Sequence, residues 1–258
     1  MKERIITAIC ILAVALPLIY FGGIWFTLLG LGATAVAAFE MVNMHNTVVP
    51  TPKWIGFLIV LSTLGIVFVP GIWLSLAIFT SCVALLFIFY AFKIADSRTL
   101  GFYMITLMYI GFTFRALLML RQHGLILFFF SIITVILTDS MAYFSGRLFG
   151  RRKLAPTISP KKTVEGAIGG WLTGCVFALL FGHFLNLFTD TWILVSISVI
   201  LPILSQIGDL IASAFKRKYK IKDYGNLFPG HGGVMDRVDS QLLAALLIYI
   251  VIEFGGVL

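Results

Sequence analysis

Residues 125–145 read LILFFFSIITVILTDSMAYFS. A helix crossing the roughly 30 Å hydrocarbon core of a bilayer needs about 20 mostly apolar residues, and this stretch supplies them with one acid, Asp139, embedded near its end. Runs of similar character lie near 5–21, 24–41, 54–70, 73–92, 101–119, 164–186, 191–214 and 241–257. Gly22-Gly23 punctuates the first pair and Pro70-Gly71 the third and fourth, as turn-forming residues should. The expected fold is all-α, a polytopic transmembrane helix bundle of about nine spans; fusing a pair near the N-terminus would give eight. We expect residues 1–120 to hold about five N-terminal spans, and 121–258 a catalytic region with two basic loops.

Composition excludes the soluble alternative. Of the 258 residues, 60% are hydrophobic and 12% charged, with a mean hydropathy of +1.05. A water-soluble globule of this size could not hide that much apolar surface. Cys10, Cys82 and Cys175 sit far apart within apolar runs, so no metal or redox spacing links them. Lys2, Arg4 and the apolar run after them imitate a signal peptide, but further spans follow, and the run reads as the first transmembrane helix.

The formal charge is +8, from 19 Lys+Arg against 11 Asp+Glu. Most cations fall in two clusters: Arg147, Arg151, Arg152, Lys153, Lys161 and Lys162, then Lys216, Arg217, Lys218, Lys220, Lys222 and Arg237. With a cytoplasmic N-terminus, the cytoplasmic loops near 42–53, 93–100, 146–163 and 215–240 hold Lys53, then Lys93 and Arg98, then the two clusters. The opposite loops at 22–23, 70–72 and 187–190 hold no cation, and only Arg115 and Arg121 break the positive-inside rule. Gly166, Gly170 and Gly174 form a small-residue face suited to close helix packing.

Acids inside apolar helices are costly, at least about 2.5–3.5 kcal/mol each on insertion scales, so Asp139 and Asp209 require explanation. Glu3, Asp96, Asp190 and Glu253 lie near span ends or in loops and do not. Both intramembrane acids fall towards the cytoplasmic ends of their spans, and Glu40 and Glu165 mark cytoplasmic ends as well. On the helical period Asp139, Tyr143 and Gly146 share a face, as do Ser205, Asp209, Ser213 and Lys216. Such polar stripes should face protein or a wet cavity rather than lipid.

The densest polar segment runs from Ser213 through Lys216-Arg217, Lys222-Asp223, Gly225 and Phe228-Pro229-Gly230-His231-Gly232-Gly233 to Asp236-Arg237-Val238-Asp239. Glycines at 225, 230, 232 and 233 permit close backbone approach and can present N–H groups to phosphate oxygens. Lys222 and Arg237 supply charge for the same oxygens. Asp236 and Asp239, with Asp209, are hard oxygen ligands suited to Mg²⁺. His231 reads either as a structural residue or as a phosphate-binding or proton-transferring one. His45, His123 and His183 lack such company. The combination points to nucleotide phosphate chemistry beside a membrane.

The stretch from Ser213 to Asp239 resembles the signature of the phosphatidate cytidylyltransferases, also called CDP-diacylglycerol synthases. A second segment agrees: Asp139, Tyr143 and Gly146, then Ser159-Pro160-Lys161-Lys162-Thr163 and Glu165-Gly166. The resemblance covers the C-terminal half; the N-terminal half is similar only in being several apolar spans. It implies transfer of a cytidylyl group from CTP to phosphatidate, giving CDP-diacylglycerol and pyrophosphate in phospholipid biosynthesis. It also implies a Mg²⁺ requirement, with the metal carboxylates at Asp209 and Asp236.

On this reading Asp209 and Asp236 hold Mg²⁺ with Asp239 in support, and a second, monovalent cation stays an open question. Asp209, Asp236, Lys222, Arg237 and His231 form the expected catalytic set. Ser213, Lys216, Arg217, Asp223, Gly232 and Gly233 are expected to bind substrate, and Asp139, Lys161 and Lys162 to line the opposite wall. Ser159-Pro160 is expected to form a rigid turn presenting the lysines. The expected partners are CTP, phosphatidate and membrane lipid, not nucleic acid, with self-association as a homodimer left open. The expected location is the cell (plasma) membrane, with the site facing the cytoplasm. Two other classes compete: a CTP-dependent lipid-alcohol kinase, against which the signature argues, and an ion-coupled transporter, which would place acids near the midplane and need no glycine-rich loop. An alcohol phosphotransferase consuming CDP-diacylglycerol would carry an Asp-Gly…Ala-Arg motif that is not found.

Overall fold

The computed structural model describes residues 2–92 and 97–255; Lys93 and Asp96 of the expected second cytoplasmic loop, and the end of the ninth apolar run, lie outside them. The described residues form nine helices: α1 (Lys2–Phe21), α2 (Gly23–Asn46), α3 (Lys53–Phe68), α4 (Gly71–Phe92), α5 (Ser97–His123), α6 (Leu125–Phe149), α7 (Val164–Phe184), α8 (Thr191–Lys218) and α9 (Met235–Gly255). Each coincides with one of the apolar runs. Six of them, α2, α4, α5, α6, α7 and α8, are long and apolar enough to cross a bilayer; α1 and α3 contribute shorter apolar helices. The fold is an all-α polytopic membrane bundle.

The chain packs as two compact units, residues 1–118 with 219–236, and residues 119–218 with 237–258. The first unit thus takes in the glycine-rich segment that follows α8. Its core is built from Met41, Ile55, Ile59, Ile66, Tyr103, Leu107, Ile110 and Phe114, all nearly inaccessible. Arg115, only 4% exposed, explains one exception to the charge rule: its Nη1 donates to the carbonyls of Ile66, Val67 and Val69 at 3.1, 3.2 and 2.7 Å. Those are the carbonyls a helix leaves without internal partners at its C-terminal end, here the end of α3. Arg121, the other exception, lies in the last turn of α5, where a cation complements the helix dipole.

In the second unit the small-residue face holds. Gly166, Gly170, Gly174, Ala178 and Gly182 are buried along α7, while Ile168, Leu172, Val176 and Leu180 are about half exposed. Both rows repeat every four residues, so α7 turns glycine inward and large apolar side chains outward, the reverse of a soluble helix and the pattern lipid demands. A Cβ at Gly170 would stand 2.5 Å from the Thr138 carbonyl oxygen, and one at Gly166 2.6 Å from that of Ala142. The α6 backbone therefore lies directly on α7.

Between α6 and α7 runs an antiparallel hairpin, β1 (Lys153–Ala155) and β2 (Ser159–Thr163). The expected Ser159-Pro160 turn is instead part of a strand; the chain reverses at 156–158. The hairpin survives its short length because both ends are tied. Glu165 accepts hydrogen bonds from the Arg151 and Arg152 N–H groups at 3.0 and 3.2 Å, and Arg217 Nε donates to the Ile158 carbonyl at 3.2 Å. Thr163 then caps α7, its hydroxyl accepting from Gly166 N at 3.1 Å.

Candidate functional site

The second unit gathers residues from both sequence segments. Asp209 on α8 receives the Lys162 ammonium of β2, Nζ to Oδ2 2.5 Å, and the Ser213 hydroxyl one turn later donates to Oδ1 at 3.2 Å. Asp139 on α6 lies near the Ser240 hydroxyl of α9 and within Coulomb reach of Asp209 and Lys162. The two lysines of β2 differ in burial: Lys162 is partly buried on Asp209, and Lys161 is exposed. Ser205 is buried and donates to the Pro202 carbonyl, so the Ser205–Asp209–Ser213 face looks into protein as its period requires. The Asp139 face is less uniform. Gly146 packs against Thr163 and Gly166, but Tyr143 is 60% exposed and accepts from Arg147, the place a tyrosine takes at a membrane interface.

Where α9 begins, Asp239 Oδ1 accepts from Ser240 N at 2.9 Å, and its carbonyl oxygen would lie 2.6 Å from a Cβ at Gly208. That close approach lets the acid-bearing turns of α8 and α9 sit together within this unit. Gln241 ties α9 to α6 as well, donating to the Ser131 hydroxyl at 2.6 Å. Arg217 and Arg237 are exposed, and Lys216 is partly so.

The first unit holds the glycine-rich segment and Asp236. A single carboxylate oxygen, Oδ2 of Asp236, accepts from Tyr224 N at 2.7 Å and Gly233 N at 3.0 Å, folding the segment back on the start of α9. The Gly233 N–H is thus turned to Asp236. Gly232 adopts φ +84°, a left-handed backbone, and a Cβ there would meet Asp236 Oδ2 at 2.6 Å. His231 N donates to the Phe228 carbonyl at 2.8 Å, and its buried Nδ1 has no hydrogen-bond partner. Lys222 and Asp223 are exposed.

Sequence reasoning took Glu40 only as a mark of a cytoplasmic span end and gave it no place in the site. This glutamate is 5% exposed at the end of α2, with Oε1 accepting from Val234 N at 2.9 Å and Oε2 from Met235 N at 3.0 Å. A carboxylate from one helix thereby caps the N-terminus of another, where unpaired N–H groups and the helix dipole both favour an anion. Gly225 and Gly233 follow from this. A Cβ at Gly225 would lie 2.6 Å from Glu40 Oε1, and one at Gly233 would overlap the carboxylate. Tyr219 anchors the front of the segment on His45 and Phe102, with ring centroids 5.7 and 5.3 Å apart, and Thr7 donates to the Pro229 carbonyl at 3.1 Å. The N-terminal helices are the scaffold of the glycine-rich segment.

Within either unit, among the described residues, no three His, Cys, Asp or Glu side chains converge to hold a metal between them. The second unit nonetheless offers the Asp209 carboxylate beside the Ser213 hydroxyl, with the Asp139 carboxylate within Coulomb reach, all hard oxygen donors. Mg²⁺ takes one or two carboxylates and fills its remaining positions with water and substrate phosphate, so the donor chemistry fits.

Residues 2–255 match the Cytidylyltransferase family. Among similar proteins is the phosphatidate cytidylyltransferase of Staphylococcus saprophyticus, 34% identical across 98% of this chain and 99% of the relative. Those of Staphylococcus haemolyticus and Staphylococcus aureus are 32% and 31% identical over the same shares. The match runs through the N-terminal helices as well as the polar segments, and the chain belongs to the cytidylyltransferase family.

Proposed function

We propose that this protein transfers the cytidylyl group of CTP to phosphatidate, forming CDP-diacylglycerol and releasing pyrophosphate, for phospholipid biosynthesis. The observation that carries the reading is the Lys162–Asp209 pair, which joins two motif segments far apart in sequence on one polar face.

The chemistry asks little of a general base. A phosphatidate oxygen is already ionised and can attack the α-phosphorus of CTP directly; the obstacles are repulsion between two anions and charge on the departing pyrophosphate. Positioned charge and orientation remove both. In our reading Lys162 and Lys161 receive phosphate oxygens at one side, and Lys216, Arg217, Lys222 and Arg237 neutralise the triphosphate. In the second unit Asp209 and Asp139, with Asp239 in support, are the carboxylates that would hold Mg²⁺; Asp236 keeps the metal role that the family resemblance implies. The ion, when bound, would offset charge on the phosphates and help fix them for in-line displacement. Glu40 and Asp236 hold the glycine-rich segment in the shape that carries His231 and Lys222.

The clustering of cations in the 146–163 and 215–240 segments supports a site on the cytoplasmic face of the cell membrane, with α1, α3 and α9 completing nine spans. CTP would arrive from the aqueous side, and phosphatidate would keep its acyl chains in the bilayer. The test is purified protein in lipid with phosphatidate, labelled CTP and Mg²⁺. Stoichiometric pyrophosphate and CDP-lipid are expected; phospho-lipid with CDP would mark a kinase instead. Omitting divalent ions should stop turnover, and undiminished turnover would remove Mg²⁺ from the account.

A further inference from the structure

We propose that the outward face of the β1–β2 hairpin and the last turn of α6 form a collecting surface for anionic phospholipid, which passes the lipid substrate to Lys162 and Asp209. The inference rests on the assignment of phosphatidate as substrate and adds how that lipid is gathered.

Three features of the second unit carry it. First, Arg147, Arg151, Arg152, Lys153 and Lys161 are all exposed, and no acid occurs between Ser140 and Val164. The first acid beyond, Glu165, directs its carboxylate to the backbone N–H groups of Arg151 and Arg152, which fixes the chain while the guanidinium groups stay at the surface. A loop that served only to orient the protein would need no such fixed presentation.

Second, the cations adjoin apolar side chains that face outward. Phe144, Leu148 and Phe149 are 53%, 72% and 68% exposed on the last turns of α6. A surface that changes from bare aromatic and aliphatic groups to bare cations within a few residues matches the acyl-to-headgroup boundary of a bilayer. A free polyanion would find no use for its apolar half. Charge complementarity selects anionic over zwitterionic headgroups, since each cation near a negatively charged leaflet contributes about 1 kcal/mol.

Third, the surface is continuous with the site. Lys161 and Lys162 are neighbours on β2, one exposed at the surface and the other paired with Asp209. A phosphate held at Lys161 is therefore one residue along β2 from the lysine that pairs with Asp209.

The experiment uses the R151Q/R152Q/K153Q protein in nanodiscs of phosphatidylcholine, a substitution that keeps the backbone N–H groups bonded to Glu165. Spin-labelled phosphatidylglycerol and phosphatidylcholine report which lipid is held at the protein surface, without reference to turnover. Wild-type protein should favour phosphatidylglycerol, and the variant should lose that preference by at least about fivefold, the equivalent of one surface cation. The surface-fraction KM for phosphatidate should rise by a similar factor, with kcat at saturating lipid and KM for CTP unchanged. R151K/R152K should behave as wild type. Equal lipid preference in wild type and the triple variant overturns the proposal. So does a lost preference with an unmoved lipid KM, or an effect confined to KM for CTP. If wild type prefers the anionic lipid but makes no CDP-lipid, the reaction assignment fails and the surface stands.

Discussion

Lys162 Nζ lies 2.5 Å from Asp209 Oδ2, so the strand that follows α6 is tied by charge to the middle of the polar face of α8. Both side chains are 27% exposed, and at that exposure solvent screens the pair to roughly 1 kcal/mol or less of stability. Its consequence is positional. Lys162→Met should lower kcat by about a hundredfold or more, the usual cost of losing a preorganised charge beside a reacting phosphate, while the unfolding temperature changes little. Lys162→Arg should keep part of the activity. Pyrophosphate release and thermal unfolding in detergent check this; near wild-type turnover in Lys162→Met would reduce the lysine to a topology signal.

Asp236 and Asp209 can be tested for charge apart from shape. Asp236→Asn retains an oxygen that can accept from Tyr224 N and Gly233 N, so the 219–236 segment should keep its fold while turnover falls at least about a hundredfold. Asp236→Ala leaves the Tyr224 and Gly233 N–H groups without their shared acceptor, and limited proteolysis should then cut within that segment. Asp209→Asn should likewise abolish turnover in a folded protein. Wild-type activity in either asparagine variant removes that residue from the reacting centre.

Glu40→Ala leaves the N–H groups of Val234 and Met235 without acceptors in a buried place, a loss of about 1–3 kcal/mol for each unsatisfied group. The expected result is faster hydrogen exchange across 224–236 and a fall in activity. Glu40→Gln, which keeps one acceptor oxygen, should show intermediate exchange. Unaltered exchange in Glu40→Ala would mean that the glycine-rich segment holds its shape without α2.

The helices were legible because apolar length is a local property. The run at 125–145 became Leu125–Phe149 and that at 164–186 became Val164–Phe184, differing only where polar residues extend or fray an end. The glycine period on α7 was legible for the same reason. The hairpin was not. Ser159 to Thr163 carries Pro160 and two lysines, a poor strand by composition, and it is held by Glu165 and Arg217 from outside. Glu40 was harder still, since its partners Val234 and Met235 lie 194 and 195 residues away and no local pattern couples a glutamate at one helix end to glycines at the other end of the chain. The acids and cations of the site were readable as chemistry, because a carboxylate in an apolar span needs a reason. What sequence could not supply was pairing: that Asp209 meets Lys162, and that Gln241 of α9 meets Ser131 of α6.

Arg115 gives the reverse case, a charge that stood out in the sequence only as an exception to the positive-inside rule and is structural by its contacts. Its Nη1 reaches three carbonyls at the end of α3, all within 3.2 Å, just before the Pro70-Gly71 turn. Proline cannot supply an N–H there, so the guanidinium stands in for backbone donors that the turn lacks. Arg115→Leu should therefore destabilise the first unit by about 1–3 kcal/mol through unsatisfied buried carbonyls, read as a lower unfolding temperature. KM for CTP and for phosphatidate should stay unchanged, as should kcat per folded molecule. Arg115→Lys, with a single ammonium at the end of a flexible stem, should recover part of the loss, because it cannot match the reach of the planar guanidinium. A stable Arg115→Leu protein with collapsed kcat would instead place this arginine in the reaction.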